Sequence, residues 1–263
     1  LSCDEAKPGV LSQPTPGKVN TIAAVPSGSA AALTAPGAYD GVEFLDIVLQ
    51  GPGKMYYTTN CTIPDQTSTP YTGPIQITDT TILRTRVYGD GYLESIMDSQ
   101  SYLYNVNNGN GTVYTVSLVS DPYNLNSDEA GIMVKGPNAE PSYPYGSMNK
   151  GANFWMDWER EAHIEVFNPD ATTLISQECG IKLHGQYSRA ADLKAFKVIA
   201  RNEYGKNRFE YPIFTDRDYE EYQSFVLRAS GQDWNRTFMR DSVLTSLAKD
   251  TSVMYQESEV GVC

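Results

Sequence analysis

The stretch PIQITDTTILRTRVYG, residues 74–89, decides how the first part of this chain is interpreted. It contains two runs rich in Ile, Thr, Val and Tyr, the residue types that favour strands, with a short turn between them. Comparable runs lie on both sides of it: VEFLDIVLQ at 42–50, KMYYTTN at 54–60 and QSYLYNV at 100–106. Short strands that recur at intervals of roughly 8 to 15 residues are typical of a β-sandwich. We therefore predict an all-β, immunoglobulin-like sandwich over residues 37–106.

The segment before this sandwich lacks the periodic apolar pattern of a helix or a strand. QPTPGKVN at 13–20 consists of turn residues, and AAVPSGSAAALTAPG at 23–37 has the Pro, Gly, Ser and Ala composition of a linker. We interpret residues 1–36 as a linker or as the end of an upstream domain. This interpretation predicts that the chain is a fragment of a larger multidomain protein.

After residue 112 the pattern changes to strands followed by a helix. The strand-like segments are TVYTVSLVSD at 112–121, EREAHIEVFNPD at 159–170, CGIKLHG at 179–185, LKAFKVIAR at 193–201 and SFVLRAS at 224–230. Residues 233–250 then place Met239, Val243 and Leu247 at helical spacing, and Asp233 or Asn235 can cap that helix. This order predicts an α+β region over residues 112–263.

The composition excludes several classes of function. A net charge of −12 argues against nucleic acid as a partner, because binding to phosphates requires a basic surface. No run approaches the ~20 apolar residues of a membrane-spanning helix. The four cysteines, Cys3, Cys61, Cys179 and Cys263, form no CxxC pair, which argues against a zinc site. We expect free thiols, and disulfide pairing stays open.

The segments MYYTTN, YTGPIQIT and TTILRTRVYG resemble the chitobiase/β-hexosaminidase C-terminal module, an immunoglobulin-like accessory domain. The matching residues are Tyr56, Tyr57, Thr58, Thr59, Asn60, Pro64, Tyr71, Thr72, Gly73, Pro74, Ile75, Thr81, Ile82, Arg84 and Gly91. Cys61 departs from the family, which usually has a small turn residue at this position. The resemblance implies a spacer or a scaffold near carbohydrate, without catalytic residues. Four tyrosines are available to stack on sugars or to join the core: Tyr56, Tyr57, Tyr71 and Tyr92.

The second part of the chain resembles the CotH family, spore-coat-protein-H-like proteins with a divergent protein-kinase-like fold. The resemblance rests on VSLVSDPYNL at 116–125, Gly131–Ile132, WEREAHIEVF at 158–167, GIKLHGQYSR at 180–189, LKAFKVIAR at 193–201, EYGKNRFEYPIF at 203–214 and SFVLRASGQDWNRTFMRDSV at 224–243. A sandwich module followed by a CotH region is also an arrangement common in this family. The resemblance implies that residues 112–263 form the N-terminal part of a CotH-like domain, similar to the N-terminal lobe of a kinase.

This resemblance implies ATP-dependent phosphoryl transfer, which requires a cation on the phosphates, carboxylates on Mg²⁺ and a group that positions the acceptor. Lys194 follows the pair Ser188–Arg189 at the spacing of the family's strand lysine. An ammonium group in an apolar strand is costly unless an anion lies beside it. We therefore predict that Lys194, Arg189 and Asp241 bind the nucleotide, with Asp241, or else Glu210, as the carboxylate that pairs with Lys194.

Ordinary structural roles compete with these assignments. Lys194 can extend its ammonium group into water from a strand edge, and Arg189 can be a surface loop residue. His163 and His184 alternate with apolar residues in strands, so we interpret both as structural. The predicted helix carries four charged residues that can cap it and form ion pairs within it, or else form a wall of the nucleotide site: Asp233, Arg236, Arg240 and Asp241.

The CotH resemblance places the aspartates that hold Mg²⁺ beyond Cys263, so we expect no catalytic residue and no kinase activity in this chain by itself. The hypothesis is a part of a CotH-type atypical protein kinase, with ATP and Mg²⁺ as cofactors and an unknown protein substrate, from a secreted or cell-surface bacterial protein. The alternative is a non-catalytic surface adhesion or scaffold protein whose sandwich binds polysaccharide. A glycoside hydrolase is disfavoured, because no pair of carboxylates can be placed at the separation of about 5–9.5 Å that such enzymes use.

Overall fold

The computed structural model describes residues 25–26, 28, 30–89, 92–93, 97–106, 113–141, 149–214, 218–230, 233, 236–249, 251, 258–259 and 261–263. The chain divides into two compact units, Leu1–Val106 and Asn107–Cys263. Both are mostly β-sheet, with few helices. The predicted linker at 1–36 lies largely outside the described residues.

The first unit consists of short strands. They are β1 (Val25–Pro26), β2 (Ala31–Ala32), β3 (Gly37–Tyr39), β4 (Leu45–Ile47), β5 (Leu49–Gln50), β6 (Lys54–Thr58), β7 (Thr69–Pro70), β8 (Ile75–Ile77), β9 (Thr81–Tyr88), β10 (Tyr92–Leu93) and β11 (Asp98–Tyr104). Five of them form a sheet in the order β3-β11-β9-β6-β7, and the others pair as β1–β10, β2–β5 and β4–β8. This arrangement is consistent with the predicted immunoglobulin-like β-sandwich.

Strand β9 organises the first unit because it lies between β11 and β6 and pairs with both in antiparallel register. Its alternate residues Leu83 and Val87 are buried, as the period of two of a half-buried strand requires. Leu83 belongs to a cluster with Ile47 and Tyr102 from other strands. The stretch at 74–89 therefore supplies both a central strand of the sheet and part of its core.

Arg84 occupies the opposite face of β9 and is only 1% exposed. Its Nη1 donates a hydrogen bond of 2.7 Å to the carbonyl oxygen of Cys61. Cys61 has a φ of +65°, a left-handed conformation in which a glycine would be less strained. Tyr88, on the same face of β9 as Arg84, donates to the carbonyl oxygen of Pro64 at 3.1 Å. The sheet thus holds the loop after β6 through side chain to backbone bonds.

The second unit contains one large sheet. The strands of the second unit are β12 (Tyr114–Val119), β13 (Arg160–Phe167), β14 (Thr173–His184), β15 (Ala195–Ile199), β16 (Phe209–Glu210), β17 (Glu221–Tyr222), β18 (Ser224–Leu227) and β19 (Gly261–Val262). The sheet has the order β18-β15-β14-β13-β12-β19, and β16 pairs separately with β17. The helical segments are α1 (Pro122–Asn126), α2 (Arg240–Ser246) and the 3₁₀ turns Asn153–Trp155, Tyr187–Ala190 and Asn202–Tyr204.

The hairpin β13–β14 forms the centre of this sheet. A tight turn joins its strands, in which the Asn168 N–H donates to the carbonyl oxygen of Thr172 at 2.8 Å. One face of the hairpin is apolar and buried, with Ile164, Ile175 and Ile181 in the core of the unit. The other face carries the polar and charged side chains that are described below.

Helix α2 begins at Arg240, later than the sequence pattern predicts, because residues 236–238 form a turn. Asp233 is 2% exposed, and its Oδ2 accepts a hydrogen bond of 3.1 Å from the Arg240 N–H. It therefore satisfies a donor of the first helical turn, although Met239 is the residue that precedes the helix. The predicted apolar face is present but exposed, at Met239, Val243 and Leu247.

Cys61, Cys179 and Cys263 carry free thiols, as we expect from the sequence, and Cys3 lies outside the described residues. Burial raises the pKa of the Cys179 thiol far above its ordinary value. None of the helices in the described part of the chain has the length and apolar character that a bilayer-spanning helix requires.

Candidate functional site

Lys194 lies in the connection between β14 and β15, one residue before β15 begins. Its Nζ donates two hydrogen bonds of 2.7 Å, to the carbonyl oxygens of Arg189 and Ala191. The ammonium group also lies 5.1 Å from the centre of the Phe154 ring, within the range of a cation–π contact. Burial lowers the pKa of Lys194, and the nearby Asp192 opposes that shift. The lysine is therefore partly desolvated and held in place by backbone carbonyls.

Arg189 closes the same connection from its other end. Its Nε donates to the carbonyl oxygen of Gly185 at 2.9 Å, and its Nη1 reaches the carbonyl oxygen of Trp155 at 3.4 Å. Gly185 has a φ of +108°, and a Cβ there would lie 2.2 Å from the Ser188 hydroxyl oxygen. The connection therefore requires glycine at this position. Arg189 and Lys194 therefore lie in one connection, whereas the sequence pattern predicts Lys194 inside the strand that follows. The prediction of a strand position is wrong because the Lys194 ammonium bonds to carbonyl oxygens of the connection.

Several cations surround the end of β14. Burial lowers the pKa of His184, and the positive charges of Arg228, Lys197 and Arg189 lower it further. Lys197 lies on β15, on the same sheet face as His184, because its partner in the register is Lys182 and residues two apart share a face. Carboxylates accompany some of these cations, since Asp241 pairs with Arg228 and Asp157 interacts with Arg189.

Neither carboxylate that we predict as a partner of Lys194 pairs with it. Asp241, in the first turn of α2, forms an ion pair with Arg228. Glu210 lies on β16 with the ammonium group of Lys206 at 3.9 Å. The physical reason is that the carbonyl oxygens of the 185–194 connection lie closer to the Lys194 ammonium. Nucleotide binding by Lys194, Arg189 and Asp241 stays a prediction.

A network that the sequence did not reveal lies over β14. The carboxylate of Glu159 accepts two hydrogen bonds from Arg201, at 2.7 Å from Nε and 2.8 Å from Nη2, and one of 3.3 Å from the Tyr204 hydroxyl. A Cβ at Gly180 would lie 2.3 Å from Glu159 Oε1, so the glycine makes room for the carboxylate. The hydrogen bond from Arg201 is the main cause that lowers the pKa of Glu159.

Glu159→Gln should make the second unit less sensitive to acid. The pKa of Glu159 is lower in the folded chain than its unfolded value of about 4.3, so the carboxylate stabilises the fold above that pH. This contribution disappears as the pH falls through the lowered folded pKa. Urea unfolding between about pH 7 and about pH 3 should show a flatter pH profile in the variant than in the wild type. Glu161→Gln, at an exposed glutamate of β13, is the matched control and should leave the profile unchanged.

The described residues contain no group of three or more His, Cys, Asp or Glu side chains that could hold a metal ion. The cations near His184 fit the phosphates of a nucleotide by charge, whereas these residues do not provide the carboxylates that Mg²⁺ requires. Binding of ATP and Mg²⁺ by this chain stays a prediction.

Most of the tyrosines that we predict as possible sugar contacts pack against other side chains of the first unit. Tyr57 and Tyr71 pack against the core of the first unit, and the Tyr71 hydroxyl accepts a hydrogen bond of 3.1 Å from the Leu49 N–H. Tyr56 makes an edge contact with Tyr88, with ring centres 5.6 Å apart. The side chain of Tyr92 lies outside the described residues.

Comparison with known proteins decides the assignment of the first unit. Residues 34–99 match the family model described as the chitobiase/beta-hexosaminidase C-terminal domain. The first unit contains this domain. The chitobiase-type domain spans the region from β3 to the start of β11, including the buried Arg84. No curated protein and no solved structure matches the chain. The CotH resemblance of the second unit therefore stays a prediction.

Proposed function

We propose that the second unit is the phosphate-binding part of a CotH-type, protein-kinase-like domain, and that its parent protein carries out ATP-dependent phosphoryl transfer. The observation that carries the proposal is the grouping of Lys194, Arg189 and the cations around His184 at one end of the sheet. Within an acidic chain, such a grouping favours a polyanionic ligand. The proposal includes an extracellular or cell-surface location in a bacterium, by resemblance to the same family.

The two basic side chains have distinct roles in this proposal. Arg189 is fixed by two carbonyl oxygens and orients the connection, leaving part of its guanidinium available to phosphate oxygens. Lys194 is partly desolvated and meets two carbonyl dipoles instead of a carboxylate. A phosphate oxygen beside it would restore the favourable charge interaction that burial removes. Asp241 acts indirectly, by holding Arg228 next to His184.

Lys194→Gln should weaken binding of ATP by about tenfold or more, because a charge-assisted hydrogen bond contributes about 1.5–3 kcal/mol. Glutamine retains a donor for the carbonyl oxygens of the turn, so the variant removes the charge and preserves the connection. Calorimetric titration with ATP, and separately with tripolyphosphate, in the presence of EDTA measures the effect without a metal ion. Lys206→Gln, at an exposed lysine, is the control and should bind as the wild type does. Equal affinity of wild type and Lys194→Gln would contradict the proposal.

A second candidate function rests on the first unit. The match at residues 34–99 is to a domain named after two carbohydrate-active enzymes. We propose, as the alternative, a non-catalytic adhesion or scaffold role in which this domain lies close to polysaccharide. Tyr57 and Tyr71 are partly buried against the core, so a sugar would contact only their exposed edges or other residues. Retention of the chain on chitin beads would support this role, and elution in the void volume would exclude chitin as the ligand.

A further inference from the structure

Three polar side chains on the central hairpin of the second unit form a continuous hydrogen-bonded chain. His163 Nδ1 lies 2.8 Å from Glu178 Oε1, and His163 Nε2 lies 3.3 Å from the hydroxyl oxygen of Ser176. None of these residues takes part in the proposed nucleotide site. The order of groups is carboxylate, imidazole and hydroxyl, which is the order of a nucleophile activated by a base that a third group orients.

The strand register produces this arrangement. His163 on β13 is paired with Glu178 on β14, and Glu165 is paired with Ser176. Residues two apart on a strand share a face, so Ser176 and Glu178 lie on the face that carries His163. The hydroxyl reaches His163 diagonally across the pair of strands, a separation within reach of a long side chain. Two hairpin strands in fixed register therefore position all three groups.

The three groups differ in solvent exposure, as a nucleophilic site requires. His163 is 5% exposed, and the Glu178 side chain is 16% exposed. Ser176, in contrast, is exposed to solvent. The base and its orienting carboxylate are thus shielded from water, while the hydroxyl that would react is accessible from outside.

The hydrogen bonds also define which nitrogen can accept a proton. A carboxylate beside Nδ1 favours the tautomer in which Nδ1 carries the proton and donates to Glu178 Oε1. Nε2 then presents its lone pair to the Ser176 hydroxyl, which donates to it. We propose that Ser176, His163 and Glu178 form a nucleophilic site that accepts an acyl group from small, uncharged esters.

The reaction is balanced within these groups and the substrate. The Ser176 oxygen forms a bond to the ester carbonyl carbon while its proton moves to His163 Nε2, and Glu178 stabilises the resulting imidazolium. The carbon–oxygen bond to the alcohol breaks, and the alcohol leaves with the proton from His163. Water then attacks the acyl-serine by the same route, which releases the acid and restores the hydroxyl.

The surroundings of Ser176 define the substrate class. Its register partner Glu165 is fully buried on the same face, and Glu178 is two residues away. Two carboxyl groups close to the hydroxyl disfavour anionic acyl groups. Ser176 is exposed on a face that otherwise buries His163 and Glu165, so the space beside its hydroxyl suits a small acyl group better than a long one.

The test is covalent labelling of the chain with an uncharged alkyl fluorophosphonate, followed by intact-mass and fragment mass spectrometry. The serine oxygen displaces fluoride from phosphorus, and the serine proton leaves with it through His163. We expect one added phosphonyl group, located on Ser176, and none in Ser176→Ala. Ser246→Ala, at an exposed serine of α2, is the matched control and should label as the wild type does.

Two variants test the roles of the other groups. His163→Gln should slow labelling about 100-fold, the usual contribution of a general base. Glu178→Gln keeps the shape of the side chain, and it tests the same hydrogen-bonded chain if His163→Gln fails to fold. It should slow labelling and remove the low-field proton resonance of His163 Nδ1–H. The proposal would be overturned if the label were spread over exposed serines, or if Glu178→Gln were labelled as fast as the wild type. Either result would leave the proposal of a nucleotide site standing.

Discussion

Gly180→Ala should lower the free energy of unfolding of the second unit by about 3 kcal/mol, the upper range for an overpacked site. The new Cβ would lie 2.3 Å from Glu159 Oε1 and 2.6 Å from the Tyr204 ring. The carboxylate cannot turn away freely, because Arg201 holds it by two hydrogen bonds. Relief of the clash therefore requires loss of the ion pair, displacement of the tyrosine, or a shift of β14 in the middle of the sheet.

Tryptophan fluorescence during urea unfolding measures this effect selectively. The three tryptophans, Trp155, Trp158 and Trp234, all belong to the second unit. Gly261→Ala, in the same unit, is the matched control, because a Cβ there would come no closer than 3.3 Å to a neighbouring atom. It should lower the stability far less than Gly180→Ala does, by about 0.5 kcal/mol or less. The double variant Gly180→Ala with Glu159→Ala should lose less free energy of unfolding than the sum of the losses in the two single variants. Strict additivity would show that the clash with Glu159 is not the cause.

Arg84→Ala should destabilise the first unit by about 3 kcal/mol, because it removes a large buried side chain and leaves a cavity. The Cys61 carbonyl oxygen would also lose its hydrogen bond from Nη1, and a hydrogen bond from a charged group contributes about 1.5–3 kcal/mol. The loop after β6 should detach from the sheet as a result. Hydrogen exchange of the amides of β9, measured by mass spectrometry, reports the local and the global loss of protection.

Two further variants separate packing from charge at this position. Arg84→Lys retains a positive charge but lacks the planar fork of donors, so it should recover only part of the stability. Lys54→Ala, at an exposed residue of β6 in the same sheet, should leave exchange at β9 unchanged. If Arg84→Ala exchanged as slowly as the wild type, the buried guanidinium would have no structural role.

Strand positions could be predicted from the sequence because period and turn residues are local signals. The runs at 42–50, 54–60 and 74–89 all contain strands in the structure. The sequence pattern predicts a start for α2 that is too early, because residues 236–238 form a turn and the Asp233 side chain bonds to the Arg240 N–H from seven residues away. Such a bond depends on tertiary geometry rather than on the pattern of apolar residues.

The candidate site could be predicted only in part. The pattern LKAFKVIAR predicts Lys194 inside a strand, whereas β15 begins one residue later, at Ala195, and Lys194 lies in the same connection as Arg189. The partners of Lys194 are backbone carbonyls, which no residue type reveals. The link between Ser176 and His163 depends on strand register. The sequence does contain one signal for this site, because Ser176 and Glu178 are two residues apart in a predicted strand and a histidine lies in the neighbouring one. The same pattern occurs in many sheets without reactive groups, so it does not identify a site.

The tight turn between β13 and β14 has a consequence for the order of folding. Its strands pair across a connection of only a few residues, so the loss of chain entropy on closing this loop is small. In the first unit, by contrast, Gly37 pairs with Tyr102, and the intervening chain must be brought together first. We expect the central hairpin to nucleate its unit, as local contacts form fastest. The Ser176–His163 contact would then arise at the earliest step, and the Lys194 connection only after β15 docks.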